Sequence, residues 1–370
     1  MNDDDTWSYA RVSAADEVVE GAFTWRYVAQ ARYASTPRPV EERQFVLEDK
    51  PPERLVDQLV GMRRVDSSGE VWEIAAVDEK LLDPGLVADV DAQVAGWSPS
   101  AEEDVGTVIR WQPEANWSHG DCTTEDPGND THAWDGESRT RKTSNFTDRQ
   151  LSAIHLTATI GASTAKCSGT LVNPQYVLTA AHCLENQDDS LVAPKLDWLA
   201  CDPEYHCSGV AEFLIPDAYN NTALDDDYDD DWAVLVLDSP LSYGAIDMDI
   251  FGGADSDFTN IGANVHLNGY PFAVLTSSGS CDDGDDNLFV QTNALVTSTA
   301  YARIKLKSDG AVGQSGAGYF FCPDGDDAVC ADNDVGMVVG VHSGWNPVED
   351  RYIGPRGAAF RAAAIALMEN

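Results

Sequence analysis

Short apolar runs separated by turn residues dominate the sequence from about residue 142 onward and predict an all-β domain there. One Ala-rich stretch at the C-terminal end breaks that pattern and predicts a helix. Residues 1–141 mix helix-favouring and β-branched segments, which predicts a small mixed α/β region ahead of the β domain.

Tyr9 to Tyr33 combines Ala and Glu with Val and aromatic residues, and Pro37, Pro39, Pro51 and Pro52 punctuate the next stretch of chain. Val71-Trp72-Glu73-Ile74 and Val105-Gly106-Thr107-Val108-Ile109 read as strands by alternation and β-branching. The boundary falls in the Asp, Gly, Asn, Ser, Thr and Arg of Cys122 to Arg149, where nothing suggests a core. Beyond it the strand-like runs are Ile154 to Ile160, Thr170 to Val177, Val210 to Leu214, Ala233 to Leu237, Asn264 to Leu267, Leu288 to Val290, Ala302 to Leu306 and Met337 to Val341. By themselves these fit either a barrel or a sandwich. In Gly357 to Glu369, Phe360, Ala364 and Met368 recur every four residues, the spacing of one helix face.

A length of 370 residues suggests about two or three domains at roughly 100–200 residues each. Against 23 basic residues stand 63 acidic ones, a net charge of −40. Nucleic acid and anionic membranes both need cationic patches, so the charge argues against either as a partner. No apolar run approaches the roughly 18–20 residues of a membrane span. Much of the negative charge lies in Asp runs, among them Asp225 to Asp227, Asp229 to Asp231, Asp282-Asp283 and Asp326-Asp327. Solvated loops are the ordinary reading of such runs, and the clustered oxygens around Asn186-Gln187-Asp188-Asp189, Asp282-Asp283-Gly284-Asp285 and Asp324-Gly325-Asp326-Asp327 also suit a structural calcium ion, although none has the twelve-residue hand spacing.

Eight cysteines fit disulfides formed in an oxidising compartment better than a zinc or redox motif. Cys167 with Cys183, Cys201 with Cys207 and Cys322 with Cys330 are natural local pairs, which leaves Cys122 with Cys281 among the 105 pairings that eight cysteines allow. The sequence starts Met1-Asn2-Asp3-Asp4-Asp5, with neither a basic region nor an apolar stretch. An extracellular protein is therefore expected to have lost its secretory signal, or to carry it outside this chain.

Three segments carry chemistry. Thr179-Ala180-Ala181-His182-Cys183 places an imidazole at the end of an apolar strand, beside a cysteine that a bridge to Cys167 would fix. Asp231 directly precedes Trp232-Ala233-Val234-Leu235-Val236-Leu237, where exposed acids give way to a buried strand, so its carboxylate is placed to orient an imidazole. In Gly313-Gln314-Ser315-Gly316 the glycines permit a tight turn that aims backbone N–H groups at one point, as an oxyanion hole requires. Taken singly, each has a bland reading: a structural histidine, the last of an acidic run, a glycine-rich surface turn. A weak nucleophile, a base and a buried carboxylate are together the parts of nucleophilic catalysis.

Jointly, over roughly residues 145–370, the three segments resemble the trypsin-like, chymotrypsin-fold serine endopeptidases. The resemblance implies two six-stranded antiparallel barrels with the site in the cleft between them. It further implies His182 as general base, Asp231 as its orienting carboxylate, Ser315 as nucleophile, and the Gly313 and Ser315 amides as oxyanion hole. Protein or peptide substrates are implied as well, and no cofactor is required. Val339-Gly340-Val341-His342-Ser343-Gly344 looks like the family's strand that pairs with substrate backbone.

Several positions depart from the common pattern. Gln314 stands where many animal members carry the aspartate that receives a new N-terminal ammonium on activation. Together with Gly340-Val341-His342-Ser343 it looks like the bacterial glutamyl-endopeptidase branch. Ala317-Gly318 replaces the family's usual Gly-Pro or Ser-Pro, and Gly344-Trp345 inverts its common Trp-Gly order, so the resemblance does not carry over the shape of the specificity pocket. His342 matches the histidine that binds an acidic side chain, Asp309 matches the acid that selects Arg or Lys, and the two could equally bond each other. The preferred residue stays open. Glu137-Ser138-Arg139-Thr140-Arg141-Lys142-Thr143 is the most basic segment of the chain and looks like a processing site, with a plain linker as the alternative. Residues 1–141 are accordingly expected to be a propeptide or an accessory region. Two other functions stand beside the enzyme: an inactive protease-like binding protein, since fold does not guarantee turnover, and calcium-dependent adhesion, which lacks a complete motif.

Overall fold

Six antiparallel strands close into a first barrel in the order Cys207–Ile215, Leu199–Cys201, Ala153–Ile160, Ser163–Asn173, Tyr176–Thr179 and Ala233–Leu237, the last pairing back with the first. The coordinates are a computed structural model. They describe residues 17–31, 43–47, 53–96, 104–110, 131–132, 139–160, 163–184, 198–216, 230–241, 264–271, 273–275, 281–283, 286–300, 303–308, 310–311, 313–321, 337–346, 351–355 and 358–369. Leu156, Leu171, Val177, Phe213 and Leu235 are fully buried in the first barrel. Burial of a side chain of this size contributes about 1.5–3 kcal/mol.

A second sheet runs through Met337–Val341, Gly318–Phe321, Asn264–Gly269, Leu288–Ala300, Arg303–Lys307 and Arg351–Pro355. Its outer members return to one another. A Cβ on Gly354 would meet the Val341 carbonyl oxygen, and one on Gly340 would lie 2.7 Å from that of Pro355. These six strands curl into a second barrel around Val265, Leu267, Ala294, Val296, Ile304, Leu306 and Tyr319. The protein is thus a mostly β, two-barrel structure that ends in a helix, Ala358–Glu369.

The helix docks through its small residues. Ala362, Ala363, Ala364 and Ala366 are buried, and Phe360 meets the Trp232 ring edge-on at 5.3 Å. Trp232 directly follows Asp231, so the helix braces the strand that presents this carboxylate.

The N-terminal strands are hydrogen-bonded into both sheets. Arg63–Asp66 pairs with Cys207–Ile215 of the first barrel and leads outward through Glu70–Val77 to Phe23–Gln30 and Glu17–Glu20. Asp104–Arg110 pairs with Gly344–Asn346 beside the second barrel and also with Arg43–Leu47. The helix Pro84–Gly96 starts on Pro84, and the Asp83 carboxylate accepts the Gly85 and Leu86 N–H groups at 2.6 and 3.3 Å, an N-cap. This helix reaches the C-terminal one, with the Ala359 N–H donating to Gln93 Oε1 and Arg361 facing Asp89.

The run read as one strand from Thr170 to Val177 is in fact two. Pro174-Gln175 turns the chain between Ser163–Asn173 and Tyr176–Thr179, and Asn173 Oδ1 caps the turn by accepting the Gln175 N–H at 3.1 Å. Leu288 to Val290 marks only the start of a longer strand that continues to Ala300, through polar residues that conceal its alternation. Among the described residues no helix is long and apolar enough to cross a membrane.

Candidate active site

The strand Tyr176–Thr179 ends in a 3-10 turn, Ala181–Cys183, that carries His182. Cys183 is bridged to Cys167 on the neighbouring strand, Cα to Cα 6.3 Å, and the Thr179 hydroxyl donates to the Ser168 carbonyl at 2.8 Å. The turn is therefore held at both ends, and His182 is wholly buried within it.

Asp231 is equally buried, although acids crowd the sequence before it. Its carboxylate receives hydrogen bonds from the His182 N–H (2.9 Å), from His182 Nδ1 (2.8 Å) and from the Ser343 hydroxyl. Because a carboxylate only accepts, the proton of this pair sits on Nδ1 and the lone pair is left on Nε2. Neither His182 Nε2 nor Ser315 Oγ has a hydrogen-bond partner among the described residues, and both atoms are buried.

Ser315 sits on a turn closed by the Ala317 N–H to the Gln314 carbonyl at 2.9 Å. Gly313 and Gly316 have φ of +91° and +86°, a region that strains any residue with a Cβ. A Cβ on Gly316 would also strike the Ser168 carbonyl and the Thr179 hydroxyl, so this turn presses directly on the strand leading to His182. Ser168 ties the loop down on its other side. Its N–H donates to the Ser315 carbonyl and its hydroxyl to that of Gly313, each at 2.7 Å, and the hydroxyl accepts the Tyr270 N–H at 2.8 Å. The Gly316 N–H donates to the His342 carbonyl (2.7 Å) and the His342 N–H to that of Ala317 (2.8 Å). These bonds fasten the Ser315 loop to the first barrel on one side and to the strand end at His342 on the other.

His342 is fully buried, and its Nδ1 lies 2.7 Å from the hydroxyl of the fully buried Tyr319. Burial, with smaller electrostatic contributions from His182 and Arg139, pushes its pKa down to about 3, so the ring is neutral at ordinary pH. Asp309 lies outside the described residues, as do Cys122, Cys322 and Cys330 and most of the Asp runs considered for calcium. The Cys167–Cys183 and Cys201–Cys207 bridges are present. Among the described residues no cluster of three or more His, Cys, Asp or Glu side chains is placed to hold a metal ion.

Three participants escape a reading of the sequence. Ser168 follows a cysteine in an unremarkable strand, Tyr319 looks like one more core aromatic, and Arg139 lies in a segment whose basic character suggests cleavage. Arg139 instead is buried and donates from Nη1 to Gln314 Oε1 at 2.8 Å. Nothing local to Gln314 pointed toward this contact, whose partners lie 175 residues apart.

A two-barrel β fold with a buried His–Asp pair and a glycine-flanked serine loop pressed against the histidine strand defines the chymotrypsin-like architecture. The sequence model of the family described as Trypsin matches residues 146–353, and the chain belongs to the trypsin-like serine protease family. A curated relative, the thrombin-like enzyme flavoxobin of Protobothrops flavoviridis, is 34% identical over 77 residues, which are 21% of this chain and 28% of that protein. The chain thus spans little more than a quarter of that relative's length. Among solved structures, a Glu endopeptidase in complex with MPD matches with a TM-score of 0.45 and 21% identity, over 63% of this chain and 96% of that one. The protease Anisep from Arthrobacter nicotinovorans matches with a TM-score of 0.42 and 18% identity, over 61% and 99%. The scabies mite inactivated protease paralogue S-I1 matches with a TM-score of 0.44 and 14% identity, over 62% and 100%.

Proposed function

We propose that this protein is a serine endopeptidase that cleaves protein or peptide substrates through an acyl-enzyme. The observation that carries the proposal is the buried His182–Asp231 pair, with Nδ1 2.8 Å from Oδ2 and the lone pair on Nε2 left to accept a proton. Ser315 Oγ attacks the scissile carbonyl while His182 Nε2 takes its proton. The resulting tetrahedral oxyanion is held by the Gly313 and Ser315 N–H groups, which the left-handed turn at Gly313 supports. His182, now an imidazolium stabilised by Asp231, returns the proton to the departing amine. Water then repeats the sequence on the acyl-Ser315 ester and frees the enzyme. Nucleophile, base and oxyanion donors all come from the chain, so the reaction as proposed calls for no cofactor.

Secretion fits the Cys167–Cys183 and Cys201–Cys207 bridges, which persist in oxidising compartments. Incubation with an unfolded protein substrate tests the activity. Wild type is expected to cleave it, and Ser315→Ala to lose about a million-fold in kcat. Equal cleavage by both would reject the proposal.

A further inference from the structure

Arg139 is buried where the two residues that follow it are exposed. It directly precedes the strand Thr140–Lys142, which pairs with Leu288–Val290 of the second barrel. Thr140 and Arg141 are exposed on that strand, while Arg139 turns inward and is 6% exposed. Burying a guanidinium is costly unless it is well bonded. Its bond here goes to Gln314, the fully buried residue immediately before Ser315.

Gln314 has little freedom of its own. A Cβ added to Gly269 would lie 3.2 Å from Gln314 Cγ, so the side-chain stem is packed against the strand end at Gly269 while its carbonyl oxygen meets the guanidinium. The backbone on its N-terminal side is the left-handed Gly313, and on its C-terminal side it is Ser315. Arg139 also lies near enough to His342 for its charge to depress that histidine's pKa, and the backbone of His342 is bonded to Gly316 and Ala317. One guanidinium is therefore bonded to one leg of the loop that carries Ser315 and acts through its charge on the histidine bonded to the other.

From this geometry we infer that Arg139 is the positioning residue of the nucleophile loop, holding Gln314 so that Ser315 Oγ and the Gly313 and Ser315 amides keep one reactive arrangement. The inference rests on the serine endopeptidase reading and deepens it. It also changes the meaning of the basic segment around residues 137–143. Arg139 acts from within the uncut chain, so order in this loop does not wait for a new N-terminus to be released. A hydrogen bond to a charged donor lets a glutamine serve where a carboxylate would be needed to receive an ammonium.

The test measures the second-order rate of fluorophosphonate labelling, and thermal melting, on the full 370-residue chain without proteolysis. Wild type, Arg139→Ala, Arg139→Lys and Gln314→Met are compared. Removing the guanidinium is expected to slow labelling by about 10- to 100-fold, the factor that matches the usual strength of a hydrogen bond to a charged group. Millimolar guanidinium added to Arg139→Ala is expected to restore labelling saturably, Arg139→Lys to fall between, and Gln314→Met to be slow without rescue. Restoration by a small cation distinguishes positioning from general damage, which it would not repair. Labelling of Arg139→Ala at the wild-type rate, or slow labelling that guanidinium leaves unchanged, overturns the inference while the enzyme reading stands. If Arg139→Ala does not fold, Gln314→Met decides: slow labelling at a wild-type melting temperature supports the inference, and a wild-type rate overturns it. Wild type that is not labelled at all removes the enzyme reading and this inference with it.

Discussion

Asp231→Asn perturbs the proposed site with almost no change of volume. The carboxylate accepts from His182 N–H, His182 Nδ1–H and the Ser343 hydroxyl. An asparagine can keep its oxygen on the backbone N–H, but its NH2 then faces Nδ1 and can only donate. That bond forces the ring into the other tautomer, with the proton on Nε2, where it meets Ser315 instead of accepting from it. The Ser343 hydroxyl can rotate to accept from the new NH2, so the fold should survive. In a Ser-His-Asp triad, loss of the correct tautomer lowers turnover by about 10,000-fold, close to 5.5 kcal/mol of barrier. The assay is peptide hydrolysis under single-turnover conditions, with circular dichroism to confirm the fold. Activity within tenfold of wild type at pH 7 would refute the assignment of Asp231 as the orienting carboxylate.

Acidification should destabilise the protein through its buried histidines. Burial lowers His342 from 6.5 to about 3. Burial likewise takes His155 from 6.5 to about 4, with Asp286 opposing and Lys166 adding to the shift. Both folded pKa values lie below the unfolded one, so below about pH 6.5 the unfolded chain binds protons that the folded chain refuses. Stability is full above that pH and falls as pH drops toward the folded values, by about 2 kcal/mol per histidine at pH 5. His155→Phe, which keeps the stacking on Tyr270, should shrink the fall in melting temperature between pH 7 and 5, and an unchanged fall would count against this origin. Gly316→Ala, at φ +86° and against Ser168 and Thr179, should cost about 3 kcal/mol or more and abolish labelling of Ser315; melting at the wild-type temperature would contradict the packing described.

The parts of the molecule that depend on contiguous residues were legible in the sequence. Ala233–Leu237 and Met337–Val341 carry their bounds in an unbroken apolar, β-branched pattern, and the C-terminal helix announces itself through Ala at helical spacing. The segments around His182, Asp231 and Ser315 are likewise local. What joins them is not. Arg139 and Gln314 lie 175 residues apart, and Ser168 reaches Gly313 across 145, so neither contact leaves a trace in any window of sequence. The attachment of Arg63–Asp66 to a barrel strand is of the same kind, since alternation shows that a strand exists without naming its partner. The turn at Pro174 was written plainly, yet the apolar residues on both sides masked it.

Ser315 is proposed to be a nucleophile activated by His182. The most direct test of that claim is fluorophosphonate labelling of the intact protein, with the modified peptide identified by mass spectrometry beside Ser315→Ala and His182→Ala. A single adduct on Ser315 that forms rapidly in wild type, is absent from Ser315→Ala and slows by orders of magnitude in His182→Ala is the expected result. A correctly folded wild-type protein with no adduct, or with one on another residue, would contradict the claim.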